Sequence, residues 1–94
     1  MIDLTRIIEP ADTTVATVVE SEVILLNFAA AETHFYGLRG AGLQIWEKIE
    51  KRGHSGEQIV AHLLDTCRGD AETIRADVAR MIGELARHEL IAQR

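Results

Sequence analysis

Residues 22–46, EVILLNFAAAETHFYGLRGAGLQIW, decide the fold. Val23 to Phe28 is a continuous run rich in bulky and β-branched apolar residues, the composition of a strand with little access to water. His34-Phe35-Tyr36-Gly37-Leu38 reads as a second strand, and the spacing of Leu43, Ile45, Trp46 and Ile49 then changes to that of a helix. Two strands and a helix start within so few residues leave room only for short connections. Such connections join antiparallel strands, because a parallel crossover needs a dozen residues or more.

Upstream, TTVATVV at 13–19 is β-branched at six of its seven positions and supplies a further strand. Glu20-Ser21 links it to the strand at 22–28, although neither residue favours the positive φ of the best two-residue turns, so a longer loop is the alternative. Ala29-Ala30-Ala31-Glu32 leads into the strand at 33–38. The three strands make an antiparallel meander. Residues 1–12 mix Ile2, Leu4, Ile7 and Ile8 with polar residues and are broken by Pro10, and they read as a partly ordered arm ahead of a single domain at 13–94.

Downstream, three helices follow. The first spans about 40–51, its apolar half carrying Gly42, Leu43, Ile45, Trp46 and Ile49, with Gly53 as the residue after its C-cap. Ser55 and Gln58 have capping-box spacing and open a second helix at about 56–67, with Ile59, Val60, Leu63, Leu64 and Cys67 on one stripe. Asp70 caps a third, running to about His88 on Ile74, Val78, Met81, Ile82 and Leu85. Leu90-Ile91 is a short terminal strand or a packed tail. The expected class is α+β, winged-helix-like, a three-stranded meander followed by three helices.

With 94 residues the chain has the length of one domain with a modest core. A net charge of −5 opposes non-specific nucleic-acid binding and anionic membrane surfaces alike, since both need clustered Lys and Arg. The first ten residues lack the charged and apolar regions of a signal peptide, and no apolar run is long enough to span a bilayer. One cysteine, Cys67, suits a reducing compartment and points to the cytoplasm.

Catalytic and metal readings find little support. His34, His54, His62, His88 and Cys67 show no ligand-pair spacing, and Cys67 sits on an apolar helix stripe as a buried thiol would. There is no nucleophile elbow or phosphate loop, and the glycines at 37, 40 and 42 do not form a dinucleotide fingerprint. No enzyme, cofactor or metal is expected. Trp46 reads as core.

Two features remain. Phe35 and Tyr36 point to opposite faces of their strand, so one of them lies off the core face. Phe35 is then either a contact residue or packed under the arm. The third helix carries Ala71, Arg75, Ala79, Ile82 and Ala86 on one flank and Thr73, Asp77, Arg80 and Glu84 on the other. The alanine flank either packs on the protein's own sheet or tail, or borders the free edge of the strand at 33–38 and forms with it a groove for an extended peptide.

The order Val-Ile-Leu-Leu-Asn-Phe, Tyr36-Gly37-Leu38, Gly42-x-x-Ile45-Trp46, a Ser55-led helix, Asp77-Val78, Leu85 and Leu90-Ile91 resembles the PqqD-like family, the RiPP recognition elements of ribosomal peptide natural-product pathways. The resemblance runs over about 15–92, and Tyr-Gly-Leu…Ile-Trp is its most specific part. Members usually carry a Gly in the loop before the third strand and Gly-Leu-Ile near the end, where this chain has Ala29-Ala30-Ala31-Glu32 and Glu89-Leu90-Ile91.

The resemblance implies a peptide-binding adaptor with no catalytic residue. A precursor's leader peptide would add as a strand beside 33–38, against the third helix, and be delivered to a separate enzyme. Stand-alone members of this size are similar to those paired with lasso-peptide leader peptidases or radical enzymes. Placed on this chain, the site comprises the edge Thr33, His34, Phe35, Tyr36 and Gly37, with Val78, Ala79 and Ile82 as apolar pockets and Arg75 to pair with an acidic leader residue. A homodimer closing the same edge would mimic the peptide-bound state. The alternative is a winged-helix DNA-binding regulator, whose recognition helix would carry Arg75, Arg80 and Arg87 among four carboxylates.

Overall fold

The computed structural model describes residues 3–29, 35–66 and 69–93. In chain order these form β1 (Ile7–Pro10), β2 (Thr14–Val19), β3 (Glu22–Asn27), β4 (Tyr36–Arg39), α1 (Ala41–Lys51), β5 (His54–Ser55), α2 (Gly56–Thr66), α3 (Ala71–Arg87) and β6 (Ile91–Gln93). The strands make two antiparallel sheets, β2-β3-β4 and β5-β1-β6. The expected meander followed by three helices is present, and a small second sheet is added to it. No helix among the described residues is long and apolar enough to cross a membrane.

β2 and β3 pair from Thr14↔Asn27 to Val19↔Glu22, which leaves Glu20 and Ser21 as a two-residue turn. Glu20 enters the left-handed region at φ 57° to make it. β3 pairs with β4 from Glu22↔Arg39 to Leu25↔Tyr36. Burial along β3 alternates strictly, with Val23, Leu25 and Asn27 inward and Ile24 and Leu26 outward, so one face of the meander packs on the core and the other meets solvent.

The core-facing stripe of α3 is Ile74, Val78, Ile82 and Leu85, the last three fully buried, each contributing roughly 1.5–3 kcal/mol. Trp46 is buried on α1 and donates its indole N–H to Glu50 (2.9 Å). The capping box is formed in both directions: Gln58 N–H donates to Ser55 Oγ (3.2 Å) and Ser55 N–H to Gln58 Oε1 (2.8 Å). Asp70 accepts from Thr73 N–H at the start of α3 (3.2 Å). Cys67 lies outside the described residues.

The expectation for residues 1–12 needs correction. Rather than a partly ordered arm, β1 is the central strand of the second sheet, paired to β5 through Ile8↔His54 and to β6 through Glu9↔Ala92. Ile8 is fully buried. Leu4 packs on α2 so closely that a Cβ at Gly56 would lie 2.6 Å from Leu4 Cδ2. Pro10 does not break the pairing because it ends the strand, opposite Ile91. Leu90-Ile91 resolves as buried residues leading into β6.

Candidate functional site

β4 is an edge of its sheet, with β3 on one side and no strand among the described residues on the other. Which backbone groups face that open side follows from the register. Phe28 N–H donates to the Thr13 carbonyl (3.2 Å), and in an antiparallel pair the direction of these groups alternates. Carried across β3, the alternation turns Tyr36 and Leu38 toward β3. It leaves the N–H and C=O of Gly37 and Arg39 on the free edge.

The side chains alternate in the other sense. Leu38 is buried and Tyr36 half-buried on the core face, while Gly37 and Arg39 lie on the outer face, where Arg39 pairs with Glu22 (3.3 Å). Phe35 is 75% exposed, which removes the option that it packs under the N-terminal segment. Thr33 and His34 lie outside the described residues.

The wall beside this edge comes from α3, by way of a different flank from the alanine one. The Tyr36 ring meets His88 at a 5.3 Å centroid separation. Met81 Cε approaches α1 so closely that a Cβ on Gly42 would lie 3.2 Å from it and 3.4 Å from Leu38 Cδ2. Asp77, Met81, Glu84 and His88 are spaced i, i+4, i+7, i+11 and form one stripe. The space between that stripe and the β4 edge is the candidate groove: Tyr36 and His88 meet across it, Met81 lies on the same row, and Asp77 and Glu84 add two carboxylates to that row. Glu84 also holds Arg87 (2.7 Å) and lies 3.8 Å from His88 Nε2.

Several of the expected site residues therefore stand elsewhere. Arg75 is engaged by Glu57 of α2, so the flank meets α2 at Arg75, and Ala86 further along it packs against the core. Val78 and Ile82 are fully buried core residues and line no open pocket. Tyr36 and Gly37 are brought to the edge as expected. Met81, Glu84 and His88 were not among the expected contacts, although their shared row with Asp77 is visible in the spacing. Among the described residues no three His, Cys, Asp or Glu side chains gather as metal ligands would.

The family model for coenzyme PQQ synthesis protein D matches residues 22–91. The chain belongs to the PqqD family. Its members' region thus starts at β3 and takes in both walls of the groove. This PqqD-family chain is also similar to a solved structure described as TbiB1 in complex with the TbiA(beta) leader peptide. That match has a TM-score of 0.79 and 28% identity, and covers 88% of this chain and 93% of the other. No protein with a curated description matches it.

Proposed function

We propose that this chain binds the leader region of a ribosomally made precursor peptide and presents it to a separate modifying enzyme or leader peptidase. The peptide adds as a strand to the free edge of β4, exchanging main-chain hydrogen bonds with Gly37 and Arg39 and, just ahead of the strand, with Phe35. Its alternate side chains point into the groove against Tyr36, Met81 and His88. The observation that carries this reading is the open β4 edge beside the α3 stripe, in a chain similar across 88% of its length to TbiB1, whose structure holds a leader peptide.

Affinity in this mode comes from the backbone, and selectivity from the groove. Asp77 and Glu84 on the wall, with a net charge of −5, favour a leader that is neutral or basic where it passes α3. This replaces the expectation of an acidic leader residue at Arg75, whose guanidinium is already paired. Chemistry is left to the partner enzyme. The lone cysteine supports a reducing compartment, and we place the protein in the cytoplasm. A homodimer closing the β4 edge would use the same backbone groups and compete with the peptide.

The DNA-binding reading lacks its electrostatic footprint. Arg75, Arg80 and Arg87 of α3 face Glu57, Asp77 and Glu84 respectively. The test is a titration of the fluorescently labelled leader peptide of the precursor encoded beside this gene. Saturable binding is expected. A folded protein that leaves the label's anisotropy unchanged overturns the proposal.

A further inference from the structure

Among the described residues the meander has a second free edge, β2, opposite in character to β4. Residues 13–19 carry no charge, whereas the β4 strand ends on Arg39. Three large apolar side chains stand exposed on β2: Val15 (46%), Val18 (69%) and Val19 (53%). A long uncharged β-branched edge is a template for another strand, and proteins ordinarily blunt such edges with charge, proline or a bulge. The described residues place none of these on β2. By the alternation set by Phe28 and Thr13, the groups of Ala16 and Val18 point outward along this edge. Thr14 N–H is already given to Ala11 C=O (3.0 Å).

We propose that β2 is a self-association edge, and that its occupant is a second copy of this chain paired antiparallel about a two-fold axis at Thr17. The choice of occupant rests on self-complementarity. With Thr17 opposite Thr17 of the second copy, Ala16 falls opposite Val18, and these are the outward-pointing residues, so each such pair exchanges two main-chain hydrogen bonds. Val15 falls opposite Val19 on the outer face, a cross-strand contact between β-branched side chains. No charge meets a like charge inside the contact. The sheet becomes β4-β3-β2-β2-β3-β4, with the two β4 edges outermost and both open. The inference is independent of what binds there, and it gives the dimer two peptide sites facing away from each other.

One strand pair is a small contact, below the ~1,200 Å² of total buried surface typical of stable complexes, so association is weak and concentration-dependent. Each copy carries −5, so added salt strengthens it. Sedimentation velocity over a rising concentration series is expected to show a reversible dimer. Val18→Lys, changing a side chain already in solvent, is expected to keep the monomer fold and abolish the dimer.

Position 17 faces itself in a non-hydrogen-bonded pair, where Cα atoms approach to about 4.5 Å and a disulfide is within reach. In a Cys67→Ser background, Thr17→Cys should therefore crosslink on mild oxidation and Ser21→Cys, in the hairpin turn, should not. A monomer throughout the concentration range overturns the proposal, as does equal crosslinking at 17 and 21. A dimer that the leader peptide dissociates places the contact at β4 and overturns it too. A monomer, or equal crosslinking at 17 and 21, leaves the peptide titration at β4 unaffected, so the two readings fail separately.

Discussion

The side-chain amide of Asn27, at the end of β3, donates to the main-chain carbonyl of Glu89, in the turn that follows α3. The same side chain's Oδ1 accepts from Thr13 Oγ1 (2.7 Å) and from Ala29 N–H (2.9 Å). Nearby, Thr14 Oγ1 and Ala11 N–H both donate to the Leu90 carbonyl (2.9 and 3.0 Å). Asn27 is the one polar residue counted in the buried set of the described chain. It ties the sheet that carries β4 to the end of the helix that carries His88, so it fixes the two walls of the groove relative to each other.

Asn27→Ala removes three hydrogen bonds at once and leaves the Glu89 carbonyl and the Thr13 hydroxyl without their partner. The expected loss of stability is about 2–4 kcal/mol, read as a lower urea midpoint at unchanged slope. A loss below ~1 kcal/mol would mean that water replaces the side chain at little cost, and that the tie does not hold the walls.

Glu89 itself is held in an unfavourable conformation. Leu90 N–H donates to Leu85 C=O (2.9 Å) and Glu89 N–H to Ala86 C=O (3.0 Å), which is the Schellman pattern. It places Glu89 at the left-handed position, φ 60°, the position after a helix C-cap that glycine usually fills. The turn geometry is thus formed with a side chain present. A side chain there costs roughly 1–2 kcal/mol, offset in part by the greater entropy glycine loses on folding. Glu89→Gly is expected to stabilise the protein by ~0.5–1 kcal/mol in thermal or urea unfolding.

The N-terminal segment gives a third test. A Cβ at Gly56 would meet Leu4 Cδ2 at 2.6 Å and Leu4 Cα at 3.0 Å, and Glu57 N–H already donates to Leu4 C=O (2.8 Å). The second contact is with backbone and does not yield by a rotamer change. Gly56→Ala is expected to destabilise by about 1–3 kcal/mol, the range for overpacking. Near-neutral behaviour would show that residues 3–6 detach readily, as an arm would.

Where the sequence spoke clearly, a local rule and the tertiary outcome agreed. The Ser55 and Gln58 capping box, the Asp70 cap and the β-branched run at 14–19 each carry their own short-range signal, and each formed. The segment around Ile7 and Ile8 did not announce itself because four residues are too few for periodicity, and its partners, His54 and Gln93, are distant in sequence. The side of α3 that borders β4 is hard to read from the sequence for a related reason. A helical wheel ranks faces by hydrophobicity, and smooth alanines look like a docking surface. What marks the two sides of α3 is the contact of Arg75 with Glu57 and of Tyr36 with His88, neither of which a wheel contains. Asn27 was hidden inside an apolar run, where a polar residue reads as an interruption.

The proposed strand addition makes its sharpest demand on Gly37. Its N–H points away from β3, so the β3–β4 ladder does not use it, and an added peptide strand would. Proline is tolerated at such an edge position, and the extended backbone it imposes on the preceding residue suits Tyr36. A Cβ at 37 would lie 2.6 Å from Glu22 Oε2, the mobile end of a side chain that can swing aside at the expense of its exposed pair with Arg39. That pair is worth at most ~1 kcal/mol. Gly37→Ala makes the same displacement and keeps the N–H. Gly37→Pro is therefore expected to unfold within about 1 kcal/mol of Gly37→Ala, yet to bind the leader peptide at least ~10-fold more weakly, a difference of ~1.4 kcal/mol. A folded proline variant that binds as tightly as the alanine one would mean that the peptide does not pair with β4, whatever else it touches in the groove.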